Sequence, residues 1–324
     1  MKIAFFELEA WEEEYIRKAL KNHDLFISRD KLTKDNLSLV KDAEILSTFI
    51  FSILNKEILS QLPNLKYIVT LSTGFDHIDT KFCKEKGIIV SNVPSYGEHT
   101  VAEHTFALIL ALSRKLIPSI EQTKRGDFSL EGLRGFSLYG KTLGVIGAGH
   151  IGKRVIEIAK CFGMKVLIFT KHQKGSVSLE QLLSSSDVIT IHVPYNSDTH
   201  HLINMKNIKL FKKGSMLINT SRGGIVETQA ILEGLERGIL MGAGLDVLEE
   251  ECNLREEKEL LTNEFLKSCD IKTQLLNHVL LTRNDVIVTP HNAFNSREAL
   301  LQILETTVLN IQAFETGKPR NTVV

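Results

Sequence analysis

The stretch from Thr142 to Thr170, TLGVIGAGHIGKRVIEIAKCFGMKVLIFT, constrains the fold more than any other part of the chain. Thr142, Leu143, Val145 and Ile146 form a short apolar, β-branched run suited to a buried parallel strand. The run ends in Gly147-Ala148-Gly149-His150-Ile151-Gly152, a complete G-x-G-x-x-G. Val155, Ile158, Ala159 and Phe162 then recur at helical spacing, Gly163 marks the helix stop, and Val166, Leu167, Ile168 and Phe169 make a second buried strand. Strand, glycine loop, helix and strand in that order form a dinucleotide-binding βαβ unit. Gly147 permits the tight turn, Gly149 lets backbone approach a pyrophosphate, and Gly152 lets helix and strand pack closely. The open N–H groups of the helix N-terminus then favour a diphosphate.

A chain of 324 residues implies about two domains. Lys plus Arg equals Asp plus Glu, 39 each, so no strong field favours nucleic acid or an anionic membrane. The opening residues MKIAFFELEA suit a first strand rather than a signal peptide, and the apolar helix around Thr105 to Leu112 is too short to span a bilayer. Cys83, Cys161, Cys252 and Cys269 are scattered without a C-x-x-C. They read as free thiols of a cytoplasmic protein with no metal site.

Residues 1 to 98 alternate strands (Lys2–Phe6, Leu25–Ser28, Ala43–Ser47, Tyr67–Leu71, Ile88–Ser91) with helices (Glu12–Lys21, Asn55–Gln61, Thr80–Lys86). This predicts an α/β layer with its own parallel sheet. Ser72-Thr73-Gly74-Phe75 follows a strand, where successive N–H groups can hold a carboxylate; a plain βα turn fits the same residues. Thr100-Val101-Ala102-Glu103 reads as a capping box before a connecting helix to about Lys115. Between Pro118 and Gly140 the pattern gives one helix and a long loop, a candidate for dimer packing.

In the second half, Ser178-Leu179-Glu180-Gln181 caps a helix. Strands are expected at Asp187–Val193, closed by Pro194, at Ser215–Asn219, at Met241–Val247 and at Val286–Thr289. Glu227–Arg237, much of 249–281 and Arg297–Phe314 read as helical, the last with Asn295 and Glu298 as its cap. Chemically able residues recur just past strand ends: the glycine loop, Thr170, Pro194, Arg222, Asp246 and His291. In a doubly wound sheet those ends form one crevice. Arg222 has the planar fork that binds a carboxylate bidentately and polarises a carbonyl. His291 can give or take a proton near neutrality. Glu251, five residues beyond Asp246, can hydrogen-bond His291 and favour the imidazolium. With a nicotinamide these parts make a hydride-transfer site for a 2-oxo acid. Taken singly, each also fits a solvated surface: an Arg in a Gly-flanked loop, one of 11 His residues, and an acidic run at Glu249-Glu250-Glu251.

Four segments decide between these readings: Gly147–Gly152, Leu217-Ile218-Asn219-Thr220-Ser221-Arg222-Gly223-Gly224, Gly244-Leu245-Asp246-Val247 with Glu251, and Thr289-Pro290-His291. In content, order and spacing the chain resembles the D-isomer-specific 2-hydroxyacid dehydrogenase family, within the group that includes D-lactate dehydrogenases. The resemblance covers nearly the whole chain. It implies an α/β protein with a Rossmann dinucleotide-binding domain, residues 100–291, inserted into a discontinuous flavodoxin-like α/β substrate domain, residues 1–99 plus 292–324. It implies a homodimer that interconverts a small 2-oxo acid and a D-2-hydroxy acid. Arg222 then binds substrate and polarises its carbonyl, His291 is the acid/base with Glu251 as partner, and Asp246 contacts the nicotinamide carboxamide. Thr73 and Gly74 hold the substrate carboxylate. Thr100, Gly147, Gly149, His150, Ile151, Gly152, Val193, Pro194, Thr199, Thr220 and Ser221 line the cofactor.

The segment Thr48–Leu54 carries Phe49 and Phe51 but no Lys or Arg, and Phe294 follows His291, which points to an unphosphorylated substrate; side chains of the core fit the same pattern. A phosphoglycerate- or glyoxylate-type dehydrogenase and a cofactor-sensing corepressor on the same fold are the competing readings. Relatives usually place Asp or Glu at the end of the second Rossmann strand. Here Thr170 stands there, followed by Lys171 and His172, and the segment to Ser178 is short. NADP is therefore expected to be accepted beside NAD.

Overall fold

The computed structural model describes residues 1–170, 175–250 and 270–324. They divide into two compact units, Met1–Tyr96 with Asn295–Val324, and Gly97–Phe294.

The first unit is built on β1 (Lys2–Phe5), β2 (Asp24–Ile27), β3 (Ile45–Thr48), β4 (Tyr67–Thr70) and β5 (Ile89–Ser91), all parallel, in the order β2-β1-β3-β4-β5. Strands β3 and β4 are buried along their whole length, as expected where helices cover both faces. The helices α1 (Ala10–Ala19), α2 (Lys56–Leu59) and α3 (Thr80–Lys86) connect them. Helix α1 begins two residues earlier than its apolar spacing suggests, because Glu9 and Glu12 form a reciprocal capping box. The C-terminal helix Arg297–Glu315 returns to this sheet, where Phe314 stacks on Tyr67 with ring centroids 4.3 Å apart. Thr322 bridges Ser91, and the buried amide of Asn310 donates to Asn92 O at 3.0 Å. Ser296, not Asn295, caps that helix, its hydroxyl accepting Ala299 N–H at 3.2 Å.

The second unit opens with α4 (Glu98–Ser113) and α5 (Leu116–Lys124). Thr100 is not the cap of α4. The carbonyl of Gly97 already accepts Val101 N–H at 2.8 Å, so Thr100 lies inside the first turn. The strands β6 (Thr142–Ile146), β7 (Lys165–Phe169), β8 (Val188–Ile191), β9 (Ser215–Asn219), β10 (Leu240–Leu245) and β11 (Val286–Val288) are parallel, in the order β11-β10-β9-β8-β6-β7. The helices α6 (His150–Cys161), α7 (Leu179–Ser185) and α8 (Thr228–Glu236) connect them, and a further helix spans Ile271–Leu281. Ser178 caps α7 through Gln181 N–H.

Strand alternation splits this unit's apolar residues between two faces. Leu143, Val145, Val188, Met216 and Ile218 pack with Val155 and Ala159 of α6 and Phe106 and Ile109 of α4. Ile146, Ile189, Ile191, Leu217 and Leu245 pack with Leu182 and Leu183 of α7 and Ile231 and Leu235 of α8. The chain leaves β6 for β7 on one side and resumes at β8 on the other. That reversal opens a crevice at the C-terminal end of β6, where ligands of doubly wound sheets bind. Among the described residues no helix is long and apolar enough to cross a membrane, and no cluster of His, Cys, Asp and Glu could hold a metal ion.

Candidate active site

The glycine loop lies at the end of β6. Gly147 has φ +94°, and a Cβ there would stand 2.6 Å from His192 O. Only glycine meets both conditions. A Cβ on Gly152 would stand 2.0 Å from Gly147 O, so the first turn of α6 rests directly on the loop. Gly149 differs, because nothing lies within 4 Å of its Cβ position. It is the N-cap of α6 in an extended conformation, and the helix start behind it has unpaired N–H groups by construction. Open space beside a helix N-terminus, on a backbone held rigid by its neighbours, fits a dinucleotide diphosphate. The His150 ring, 81% exposed, pairs with Glu98 at 3.1 Å.

Five other positions follow strand ends of the same sheet. Thr170 follows β7, and its N–H donates to Ser176 Oγ at 2.9 Å, which closes the shortened segment. Lys171 and His172 lie outside the described residues. Val193 and Pro194 follow β8. There Thr199 Oγ donates to Pro194 O at 2.7 Å, and Ser221 Oγ donates to Val193 O at 2.5 Å. Burial pushes the neighbouring His192 imidazole down to about 3, so it is neutral at physiological pH.

Arg222 follows β9. Asn219, 1% exposed, holds its turn: Nδ2 donates to Arg222 O at 2.9 Å and Oδ1 accepts Ser221 N–H at 3.1 Å. Gly223 and Gly224 are wedged in place, since a Cβ would stand 2.1 Å from the Leu248 carbonyl and 2.9 Å from the Tyr195 ring. Thr220 is fixed from α4, its hydroxyl 3.0 Å from that of Thr105.

Asp246 follows β10, between the ends of β9 and β11. Its side chain is 1% exposed and accepts hydrogen bonds from Thr289 Oγ at 2.5 Å, Asn292 N–H at 3.0 Å and Ala293 N–H at 2.9 Å. Its backbone carbonyl accepts His291 N–H at 2.8 Å. His291 therefore sits in a loop pinned on both sides, with φ +53°. Pattern reading did not single out Asn219 or His104. His104 Nε2 lies 3.1 Å from Thr289 Oγ and 3.5 Å from Asp246 Oδ1. Asn219 stands within the family signature, but its role depends on loop closure that no spacing reveals.

Glu251 lies outside the described residues. Its neighbour Glu249 is not part of a solvated run: its carboxylate accepts Thr228 N–H at 3.1 Å and pairs with His201 at 2.5 Å. In the first unit, the Ser72–Gly74 turn is held by Thr73 Oγ donating to Val93 O at 2.7 Å and Asn92 Nδ2 donating to Thr73 O at 2.7 Å. Phe49 and Phe51 of the same unit meet edge to face, centroids 5.9 Å apart. Phe294 is half-buried in the second unit.

Residues 106–293 match the profile of the D-isomer specific 2-hydroxyacid dehydrogenase, NAD binding domain. The chain is a D-isomer-specific 2-hydroxyacid dehydrogenase. The D-lactate dehydrogenase of Escherichia coli is 32% identical over 98% of both chains. The crystal structure of D-lactate dehydrogenase from Aquifex aeolicus, complexed with NAD and lactic acid, is 38% identical, covers 99% of both chains and has a TM-score of 0.88. The glyoxylate reductase of Pyrococcus furiosus is 31% identical over 98% of this chain and 89% of its own. The chain falls in the D-lactate dehydrogenase-like group and carries the family's NAD-binding domain.

The glycine geometry separates two substitutions in this dehydrogenase. Gly149→Val should fold with a melting temperature close to wild type, because the Cβ enters open space, yet lose most affinity for the dinucleotide. Gly152→Ala should lower the melting temperature, since relieving the contact with Gly147 O costs about 1–3 kcal/mol. Thermal unfolding and cofactor titration check both; tight dinucleotide binding by Gly149→Val would show that the open space is not the diphosphate site.

Proposed function

We propose that this dehydrogenase reduces a small unphosphorylated 2-oxo acid of the pyruvate type to the D-2-hydroxy acid and runs the reverse reaction. The observation that carries the reading is the fixed triplet at neighbouring strand ends, Arg222 after β9, Asp246 after β10 and His291 after β11. A bound nicotinamide supplies or accepts the hydride at the 2-carbon. Arg222 offers its planar fork to the substrate carboxylate and stabilises negative charge developing on the keto oxygen. Protonated His291 gives its proton to that oxygen and recovers it in the reverse direction. Glu251 partners His291, as the family resemblance assigns. Asp246 fixes the His291 loop and meets the carboxamide of the cofactor. Thr100, Val193, Pro194, Thr199, Thr220 and Ser221 line the cofactor, with the glycine loop under its diphosphate.

In the first unit, which we assign as the substrate domain, the N–H groups of the Thr73–Gly74 turn serve a carboxylate. The segment Thr48–Leu54 meets the substrate side chain, with Phe294 as a further apolar wall. Phe51 and Ile53 are 51% and 49% exposed, and no Lys or Arg stands in this segment to neutralise a phosphate. A second copy of the chain covers the apolar surface of the α5 region, where Phe128 and Leu130 are 79% and 85% exposed. The exposed thiol of Cys161 suits the reducing cytoplasm.

His291→Asn should lower kcat about 10²- to 10⁴-fold on folded protein, as removal of a positioned acid/base does. Arg222→Lys should lower kcat/KM strongly, because Lys lacks the fork. Near wild-type turnover in either variant would remove that residue from the mechanism. A higher kcat/KM for 3-phosphohydroxypyruvate than for pyruvate and its alkyl analogues would contradict the substrate class.

Thr170 can neither accept the ribose 2′-OH bond as a carboxylate would nor repel a 2′-phosphate, so NADPH should be used beside NADH. Thr170→Asp should shift kcat/KM toward NADH. A wild type that prefers NADH a hundredfold, unchanged in the variant, would show that this position does not select the cofactor. Sedimentation should give the mass of a dimer, and a monomer at micromolar concentration would refute the α5 interface.

A further inference from the structure

Strand β1 lies between β2 and β3, so the residue leaving β1 stands between the loops that leave its two neighbours. That residue is Glu7, and it ties all three loops together. Its carboxylate accepts Phe51 N–H at 3.0 Å and the hydroxyl of Ser52. Ser52 Oγ in turn accepts Leu32 N–H at 2.9 Å, from the loop after β2. The donors run one way, from Leu32 N–H to Ser52 Oγ and from Ser52 O–H to Glu7. Only an acceptor-only carboxylate satisfies both the Ser52 hydroxyl and the Phe51 amide at once.

Two further observations set Glu7 apart from an ordinary surface acid. Its φ is +66°, a left-handed backbone that is rare for a residue with a Cβ and that gathers at functional loops. Burial pushes its carboxyl above the ordinary glutamate range, against the pull of the Ser52 and Phe51 bonds and Lys31. The segment it holds has an alternating pattern. Ser52 and Leu54 are 0% exposed, while Phe51 and Ile53 are about half exposed. Leu54 is anchored separately, its N–H donating to His77 O at 2.8 Å and its carbonyl accepting Asp79 N–H at 2.9 Å. Two fixed polar anchors thus present two large apolar side chains outward.

We propose that Glu7 is a positioning residue for substrate selection, holding residues 49–53 so that Phe51 and Ile53 form the wall that recognises the side chain of the 2-oxo acid. This rests on the reading that the segment meets the substrate. Glu7 touches neither cofactor nor reacting atoms, so its removal should change discrimination between acids more than it changes turnover.

The test uses the full chain with reduced cofactor and three acids: glyoxylate, which has no side chain, pyruvate, and 4-methyl-2-oxopentanoate. Glu7→Gln places an amide N–H₂ against a donor and should raise KM for the branched acid about tenfold, the order expected for losing a charge-assisted hydrogen bond. kcat on glyoxylate should stay within about twofold, and the cofactor KM should not move. Ser52→Ala removes one bond of the clamp, should shift the same ratio in the same direction by less, and carries the test if Glu7→Gln does not fold. An unchanged ratio of branched acid to glyoxylate in a folded variant would overturn the proposal, and so would an equal loss on all three acids. The two readings fail separately. A wild type inactive on every 2-oxo acid overturns the proposed function. A wild type that discriminates among the acids, with Phe51→Ala leaving the ratio unchanged, overturns the role of the segment and Glu7 with it.

Discussion

A carboxylate that is 1% exposed cannot remain ionised without donors, and Asp246 draws its donors from a single loop. The hydroxyl of Thr289 and the N–H groups of Asn292 and Ala293 all converge on it. Three such bonds around one side chain leave the intervening residues little freedom. His291, between those donors, takes a left-handed backbone because its neighbours on both sides are fixed. Breaking a buried charge arrangement of this kind typically costs about 3–5 kcal/mol. The position of the imidazole is therefore coupled to the stability of the sheet end. The same strand neighbourhood fixes the guanidinium side, because Asp246 N–H donates to Asn219 O at 2.9 Å and the Asn219 side chain closes the Arg222 turn.

Close packing reinforces these polar anchors. Gly223 and Gly224 leave no room for a side chain between the Leu248 carbonyl and the Tyr195 ring, so the loop after Arg222 cannot shift without moving both. On the far side of the crevice Gly152 lies against Gly147 in the same way. A site built on the ends of parallel strands thus gains its rigidity from backbone contacts that only glycine allows. Gly149 alone keeps open space. The contrast between crowded and open glycines separates the structural positions of the loop from the one that leaves space for a ligand.

Much of this was legible in the sequence because it is local. A β-branched run, a glycine loop and a helical apolar period occupy consecutive residues, so β6, α6 and β7 could be read directly, and Ser178 announced the cap of α7. Caps closed by backbone alone were not legible. Gly97 starts α4 through its carbonyl, and the Thr100–Glu103 pattern that imitates a capping box is an ordinary piece of helix. Long-range polar closure was hidden as well. Glu249 looked like one acid in a solvated run, yet its partners, Thr228 and His201, stand 21 and 48 residues away in sequence. Glu7 gave no signal at all, since its partners lie 44 and 45 residues further on. Side chains that bond to distant backbone carry no period and no motif, and only the folded sheet brings them together.

The central claim is that the fixed Arg222 and His291 present one face of a 2-oxo acid to the nicotinamide. A reaction on one face gives one enantiomer. Chiral chromatography of the lactate formed from pyruvate and reduced cofactor tests this directly. The account predicts D-lactate alone; L-lactate, or a mixture of the two, would contradict it.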